Sequence, residues 1–147
     1  MAANASCRFC QIASHANYVV FEDQLSIAFL DYRPLFIGHT LLIPKAHYET
    51  LADLPADLVG PFFSNVQLLS RAVEKAMAAE GTFVAINNRV SQSVPHLHVH
   101  IVPRRKKDGL RGFFWPRQAH PGEEHMRQAQ NAIRDTILQF LSKTAEK

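Results

Sequence analysis

His96-Leu97-His98-Val99-His100-Ile101-Val102 alternates imidazole and aliphatic side chains. Successive side chains of a β-strand point to opposite faces, so His96, His98 and His100 line one face. Leu97, Val99 and Ile101 fill the other, which reads as buried. Such a strand commits its apolar side to a core and stacks three rings whose ordinary pKa lies near neutrality. The rings suit work as bases, nucleophiles or metal ligands. Alternate residues on a strand stand about 6–7 Å apart at Cα, so one ion rarely takes all three and a division of labour follows.

Outward from this strand, residues 18–21, 26–30, 40–43 and 82–86 also read as strands, with Glu22-Asp23-Gln24 as a turn and Pro44 as a strand end. Leu58, Phe62, Val66, Leu69, Val73 and Met77 recur every three or four positions, which predicts one long amphipathic helix over 55–79. Asp53 is its expected N-cap, Pro55 lies in its first turn, and Gly81 marks its end. Met126, Ala129, Ile133, Ile137 and Phe140 predict a C-terminal helix, with Glu123 and Glu124 favourably placed near its N-terminus. The expected class is α+β, an antiparallel sheet of roughly five strands with helices packed on it.

The chain has 147 residues, enough for a single domain with a real core, and its 47% hydrophobic content excludes a disordered chain. No apolar run approaches the ~20 residues of a membrane span, and no basic-then-apolar leader precedes the fold, so the cytoplasm is the expected location. Cys7 and Cys10 form a Cys-x-x-Cys pair that by itself is open to reading as a metal half-site, a redox motif or an accident. The balance is mildly basic, 16 Lys and Arg against 13 Asp and Glu. Arg104-Arg105-Lys106-Lys107 reads as a solvated loop rather than a nucleic-acid patch, or as a charge that draws polyphosphates toward the histidines.

Several stretches together resemble the histidine-triad (HIT) proteins. They are the triad with Gln92-Ser93-Val94-Pro95 before it and Pro103-Arg104 after it, Cys7-Arg8-Phe9-Cys10, Ala28-Phe29-Leu30-Asp31, and the run from Gly38 to His47. The resemblance spans residues 7–104 of a single 1–147 domain, with 105–147 left as an aromatic and basic loop and the C-terminal helix. It implies a HIT-like α+β domain with a long central helix, pairing as a homodimer. It implies a hydrolase or transferase that cleaves the α-phosphate bond of a nucleotide conjugate, such as a nucleoside phosphoramidate or a dinucleoside polyphosphate.

By that resemblance His98 is the nucleophile, passing through a nucleotidyl-phosphohistidine, while His100 contacts the phosphate and helps the leaving group depart. Ser93 contacts the phosphate or leaving group, Asn87 and Gln92 lie near the phosphates, and the Asp31 carboxylate accepts from ribose hydroxyls. Phe9, Ile12, Ile27, Phe29 and Leu30 are candidates both for sandwiching a purine and for the core. Cys7, Cys10, His47 and His96 are implied as a closed, structural Cys2His2 zinc site. His39, beside Gly38, reads as a turn or core histidine. One departure stands out: Ser91 occupies a position where the branch of the family with this phosphate loop usually has glycine, and the loop looks shorter. The alternative reading is a non-catalytic nucleotide-binding or interaction module in which zinc and the triad are structural. The expected ligand is a purine nucleotide, with neither nucleic acid nor membrane as partner. Three aromatics at 113–115, flanked by glycines and arginines, read as cover for a dimer interface or as a ligand contact.

Overall fold

A computed structural model describes residues 6–15, 17–110 and 121–145, in two units that divide between Gly109 and Leu110. The first unit runs α1 (Arg8–His15), β1 (Val19–Glu22), β2 (Ser26–Leu30), β3 (Thr40–Pro44), a 3-10 turn (Leu51–Asp53), α2 (Ala56–Ala76), β4 (Gly81–Ala85) and β5 (Val99–Arg104). The second holds α3 (Glu123–Ala145). The five strands form one antiparallel sheet in the order β1-β2-β3-β5-β4, the α+β arrangement expected from the sequence. The connection from β4 returns the chain to insert β5 beside β3, so the triad strand is central.

Both faces of this sheet are covered. On one, Ala28, Leu42, Leu97, Val99 and Ile101 pack against Phe62, Val66, Leu69 and Val73 of α2. Phe62 is fully buried, a contribution of about 1.5–3 kcal/mol. The opposite face carries Ile27, Phe29, Leu41 and Ile43, which pack with Cys7, Phe9 and Cys10 at the start of the chain. The histidine side of the triad is thus a second, smaller core, because Leu41 pairs across from His100 and shares its face.

The aliphatic half of the alternation is core as expected, with Leu97, Val99 and Ile101 all at 0% exposure, but His96 and His98 on the other face are buried as well. The strand itself is shorter than the predicted 96–102, since β5 begins only at Val99. Before it, the Leu97 N–H donates to the Tyr48 carbonyl at 2.6 Å and the His96 N–H to Val94 at 2.8 Å, which fastens the approach to a loop rather than to a strand. The cap predictions for α2 need correction. Asp53 lies in the 3-10 turn, where its carboxylate accepts from the Thr50 N–H at 2.9 Å and hydroxyl at 2.6 Å, and Pro55 precedes the first helical residue. Gly81 opens β4, and the chain instead leaves α2 through Ala78 at φ +48°.

The basic run leaves the end of β5 in a turn, and its two arginines are held locally. Arg104 pairs with Asp108, the Arg105 guanidinium donates to the Met77 carbonyl at the end of α2, and the Lys106 N–H donates to Glu80 at 2.7 Å. In α3, the expected apolar residues Met126, Ile133, Ile137 and Phe140 are exposed, and Arg127 and Gln128 bond back to Glu123 and Glu124. The aromatic residues 113–115 lie outside the described residues. Among those described, no helix is long and apolar enough to cross a membrane.

Candidate active site and metal centre

Each ring of the triad makes a hydrogen bond that decides which of its nitrogens carries the proton. The alternative tautomer would face a carbonyl oxygen with a lone pair, so a backbone acceptor fixes the choice. His96 Nε2–H donates to the Pro44 carbonyl at 2.8 Å, leaving the Nδ1 lone pair outward. That nitrogen lies 3.4 Å from Cys7 Sγ and 3.5 Å from Cys10 Sγ, and Cys10 Sγ lies 3.4 Å from His47 Nδ1. The four ligand atoms all fall within 4.8 Å of one another. A tetrahedral ion with Zn–S near 2.3 Å and Zn–N near 2.05 Å requires N-to-S edges of about 3.5 Å, so the four groups fit a closed Cys2His2 centre. Burial pushes the His96 pKa down to about 4, with the neighbouring His47 and His98 adding to the shift, so the ring is neutral as a ligand must be.

His98 is arranged the opposite way. Its Nδ1–H donates to the His96 carbonyl at 2.7 Å, which leaves Nε2 as the lone-pair nitrogen. The ring is buried edge-on to Phe9, with centroids 5.2 Å apart, and next to His100 at 5.0 Å. His100 in turn depends on a residue that the sequence reading assigned to a turn or to the core. The Leu35 N–H donates to His39 Nδ1 at 3.2 Å, so the His39 proton sits on Nε2 and is donated to His100 Nδ1 at 3.0 Å. The remaining proton of His100 is therefore on Nε2. Burial, followed by the nearby His98 and His39, lowers the His100 pKa to about 4, and burial also lowers that of His39 against the pull of Asp31. Both rings are neutral near neutral pH. The 3.7 Å approach of His39 to Asp31 is accordingly a polar contact and not an ion pair. The cluster Asp31, His39 and His100 has the composition of a metal site, but both nitrogens of His39 are already spent on hydrogen bonds.

Gly38 makes this position of His39 possible. It adopts φ +94°, and a Cβ there would stand 2.5 Å from Met77 Sδ. A side chain would have to push Met77 aside and take a left-handed conformation as well.

His98 and His100 open into a cavity of about 470 Å³, within the range of small-molecule sites. Ser93, Val94 and Asp31 also line it, and Phe9, Ile12, Phe29 and Leu30 supply an apolar wall. Asp31 Oδ1 accepts from the Arg33 N–H at 2.9 Å, which holds the carboxylate in place. Ile27 belongs to the core and does not line the cavity. Asn87 and Gln92 are also not among its lining residues. Gln92 ties the loop down, with Nε2–H donating to the Glu49 carbonyl at 2.6 Å and Oε1 accepting from the Arg89 N–H at 2.7 Å. Asn88 is committed too, accepting from the Leu51 N–H at 2.9 Å. Ser91 sits at φ +59°, so this loop keeps the left-handed conformation that glycine would adopt without strain.

The cavity thus brings a lone-pair imidazole and a carboxylate together beside a Cys2His2 cluster on an antiparallel α+β sheet. The HIT domain pattern matches residues 13–107, and the chain belongs to the HIT family. Over 108 residues it is 37% identical to the protein named adenylylsulfatase HINT3 of Arabidopsis thaliana, covering 71% of this chain and 55% of that protein. It is 36% identical over 92 residues to the asymmetrical bis(5'-nucleosyl)-tetraphosphatase of Schizosaccharomyces pombe, covering 61% of this chain and 50% of that one. The chain thus spans about half the length of these two relatives. A zinc-bound histidine triad family protein from Mycobacterium smegmatis superposes with a TM-score of 0.66 at 36% identity, covering 90% of this chain and 97% of the other.

Proposed function

We propose that this protein cleaves the bond between the α-phosphorus of a purine nucleotide and its leaving group, through a covalent intermediate on His98. The observation that carries the reading is the Nδ1–H bond from His98 to the His96 carbonyl, which leaves the lone pair on Nε2, with the ring lining the cavity. The names of the two relatives, an adenylylsulfatase and a bis(5'-nucleosyl)-tetraphosphatase, both denote phosphate-linked nucleotides.

In the first step the Nε2 lone pair forms an N–P bond while the bond from phosphorus to the leaving group breaks. The leaving group departs with that electron pair and takes a proton from solvent. His100 Nε2–H donates a hydrogen bond to the charge that develops on it, and the Ser93 hydroxyl supplies another. The positive charge that the phosphorylated imidazole acquires is eased by the Nδ1–H bond to the His96 carbonyl. In the second step water attacks the phosphorus and gives up a proton to solvent, the N–P electrons return to Nε2, and a nucleoside monophosphate leaves. Asp31 holds the ribose hydroxyls throughout, and Asn87 and Gln92 shape the loop on the phosphate side.

Cys7, Cys10, His47 and His96 would hold zinc, which supplies structural cross-linking and no open coordination position. The centre joins the chain start to the residue whose carbonyl positions His98. The test is acid quenching during turnover of adenosine phosphoramidate or diadenosine tetraphosphate labelled at the α-phosphate. Acid-labile, alkali-stable label on wild type and none on His98→Ala is the expected result. Wild type that binds nucleotide but never takes up label or turns either substrate over would make this a binding module with a structural triad.

A further inference from the structure

The cavity carries charge that its apolar wall does not require. Arg8 and Arg33 both line it, and each guanidinium carbon lies over the ring of Tyr32, at 5.0 Å and 5.6 Å from its centroid. Arg8 and Ile12 are four apart on α1, so they share one helix face, and Ile12 belongs to the apolar wall. Tyr32 directly follows Asp31, the residue proposed to hold the ribose, so on that reading the Arg8 guanidinium stands beside the nucleoside half of the ligand. Neither arginine forms an ion pair among the described residues, and Asp31 is the only carboxylate of the cavity lining. Stacking on an aromatic face holds a guanidinium plane in a set orientation while leaving its edge N–H groups available.

From this geometry we infer that Arg8, braced on Tyr32, selects nucleotides of 6-oxopurines, guanine and hypoxanthine, over those of adenine. The inference deepens the nucleotide reading above and rests on it. A 6-oxopurine presents two adjacent acceptors, N7 and O6, which match the paired donors of a guanidinium. Adenine offers N7 beside an N6–H donor, so only one N–H of the pair finds an acceptor on the base and the second bond is not made. A good bidentate match of this kind discriminates by on the order of tenfold or more.

Titration calorimetry with the 5'-monophosphates of guanosine, inosine and adenosine tests the assignment on wild type, Arg8→Ile and Tyr32→Leu. On wild type, the guanosine and inosine nucleotides should bind about tenfold more tightly than the adenosine nucleotide or better. Arg8→Ile should bring the three affinities together, and Tyr32→Leu should narrow the gap while retaining the arginine. Equal affinities on wild type would overturn the proposal. So would a uniform loss of all three in Arg8→Ile, which would assign the arginine to the phosphate. Tight guanosine but weak inosine binding would overturn it in favour of a contact to the 2-amino group. If none of the three bound, the nucleotide reading itself would fall, and this inference with it.

Discussion

His39 Nε2–H donates to His100 Nδ1 at 3.0 Å, and this bond, rather than anything in the triad motif, places the last proton of the triad. The His39 Nδ1 lone pair is occupied by the Leu35 N–H, so His39 has one tautomer and imposes one on His100. The consequence is that His100 carries a donor, not an acceptor, on Nε2, where the proposed mechanism needs one for the leaving group.

His39→Phe removes that donor at similar bulk and frees His100 to place its proton on Nδ1. Turnover should fall about 10–100-fold, as when other positioning partners of catalytic groups are removed. Affinity for a nucleoside monophosphate should change little, because His39 does not touch the cavity. Single-turnover kinetics beside equilibrium binding separates the two; an equal loss in both would make His39 a general structural residue.

Purified protein should carry close to one zinc per chain by elemental analysis. Cys10→Ser and His47→Ala should lower zinc content and melting temperature together, because metal binding stabilises only the folded state. His98→Ala should keep its zinc, since the His98 ring lines the cavity and it is His96 whose Nδ1 faces the cysteines. Zinc lost with His98 and retained in Cys10→Ser would move the metal into the active site.

Acid should unfold the protein earlier than its carboxylates alone require. The His100 pKa stands at about 4 in the fold against an ordinary 6.5, so between these values the unfolded chain binds the proton and the folded chain does not. The stability linked to this group is complete above about pH 6.5 and declines as pH falls toward 4. Melting temperatures across that window, measured on wild type and His100→Gln, should fall less steeply for the variant.

Ser91→Gly should stabilise the protein. A non-glycine residue at φ +59° costs about 1–2 kcal/mol, and glycine gives back part of that gain through its looser unfolded chain. A net gain of about 0.5–1 kcal/mol in denaturant unfolding is expected. Loss of stability would mean that the serine side chain holds the loop.

Local periodicity was fully written in the chain. Two-residue alternation marked Leu97, Val99 and Ile101 as core, and three-to-four-residue spacing drew α2 from Leu58 to Met77, because strand and helix geometry act on neighbours. Helix ends were less legible. Asp53 and Gly81 have the right chemistry for caps, yet Thr50 claims the first and β4 the second. The resemblance suggested partners for Cys7 and Cys10, but only folding shows that His96, 89 residues from Cys7, arrives with Nδ1 toward the sulfurs. His39 and His100 meet across 61 residues, with no local pattern to announce it. An imidazole carries its proton on whichever nitrogen faces an acceptor. Sequence could name the rings, and only the carbonyls of Pro44 and His96 and the N–H of Leu35 could decide which nitrogen of each ring keeps its lone pair and which its proton.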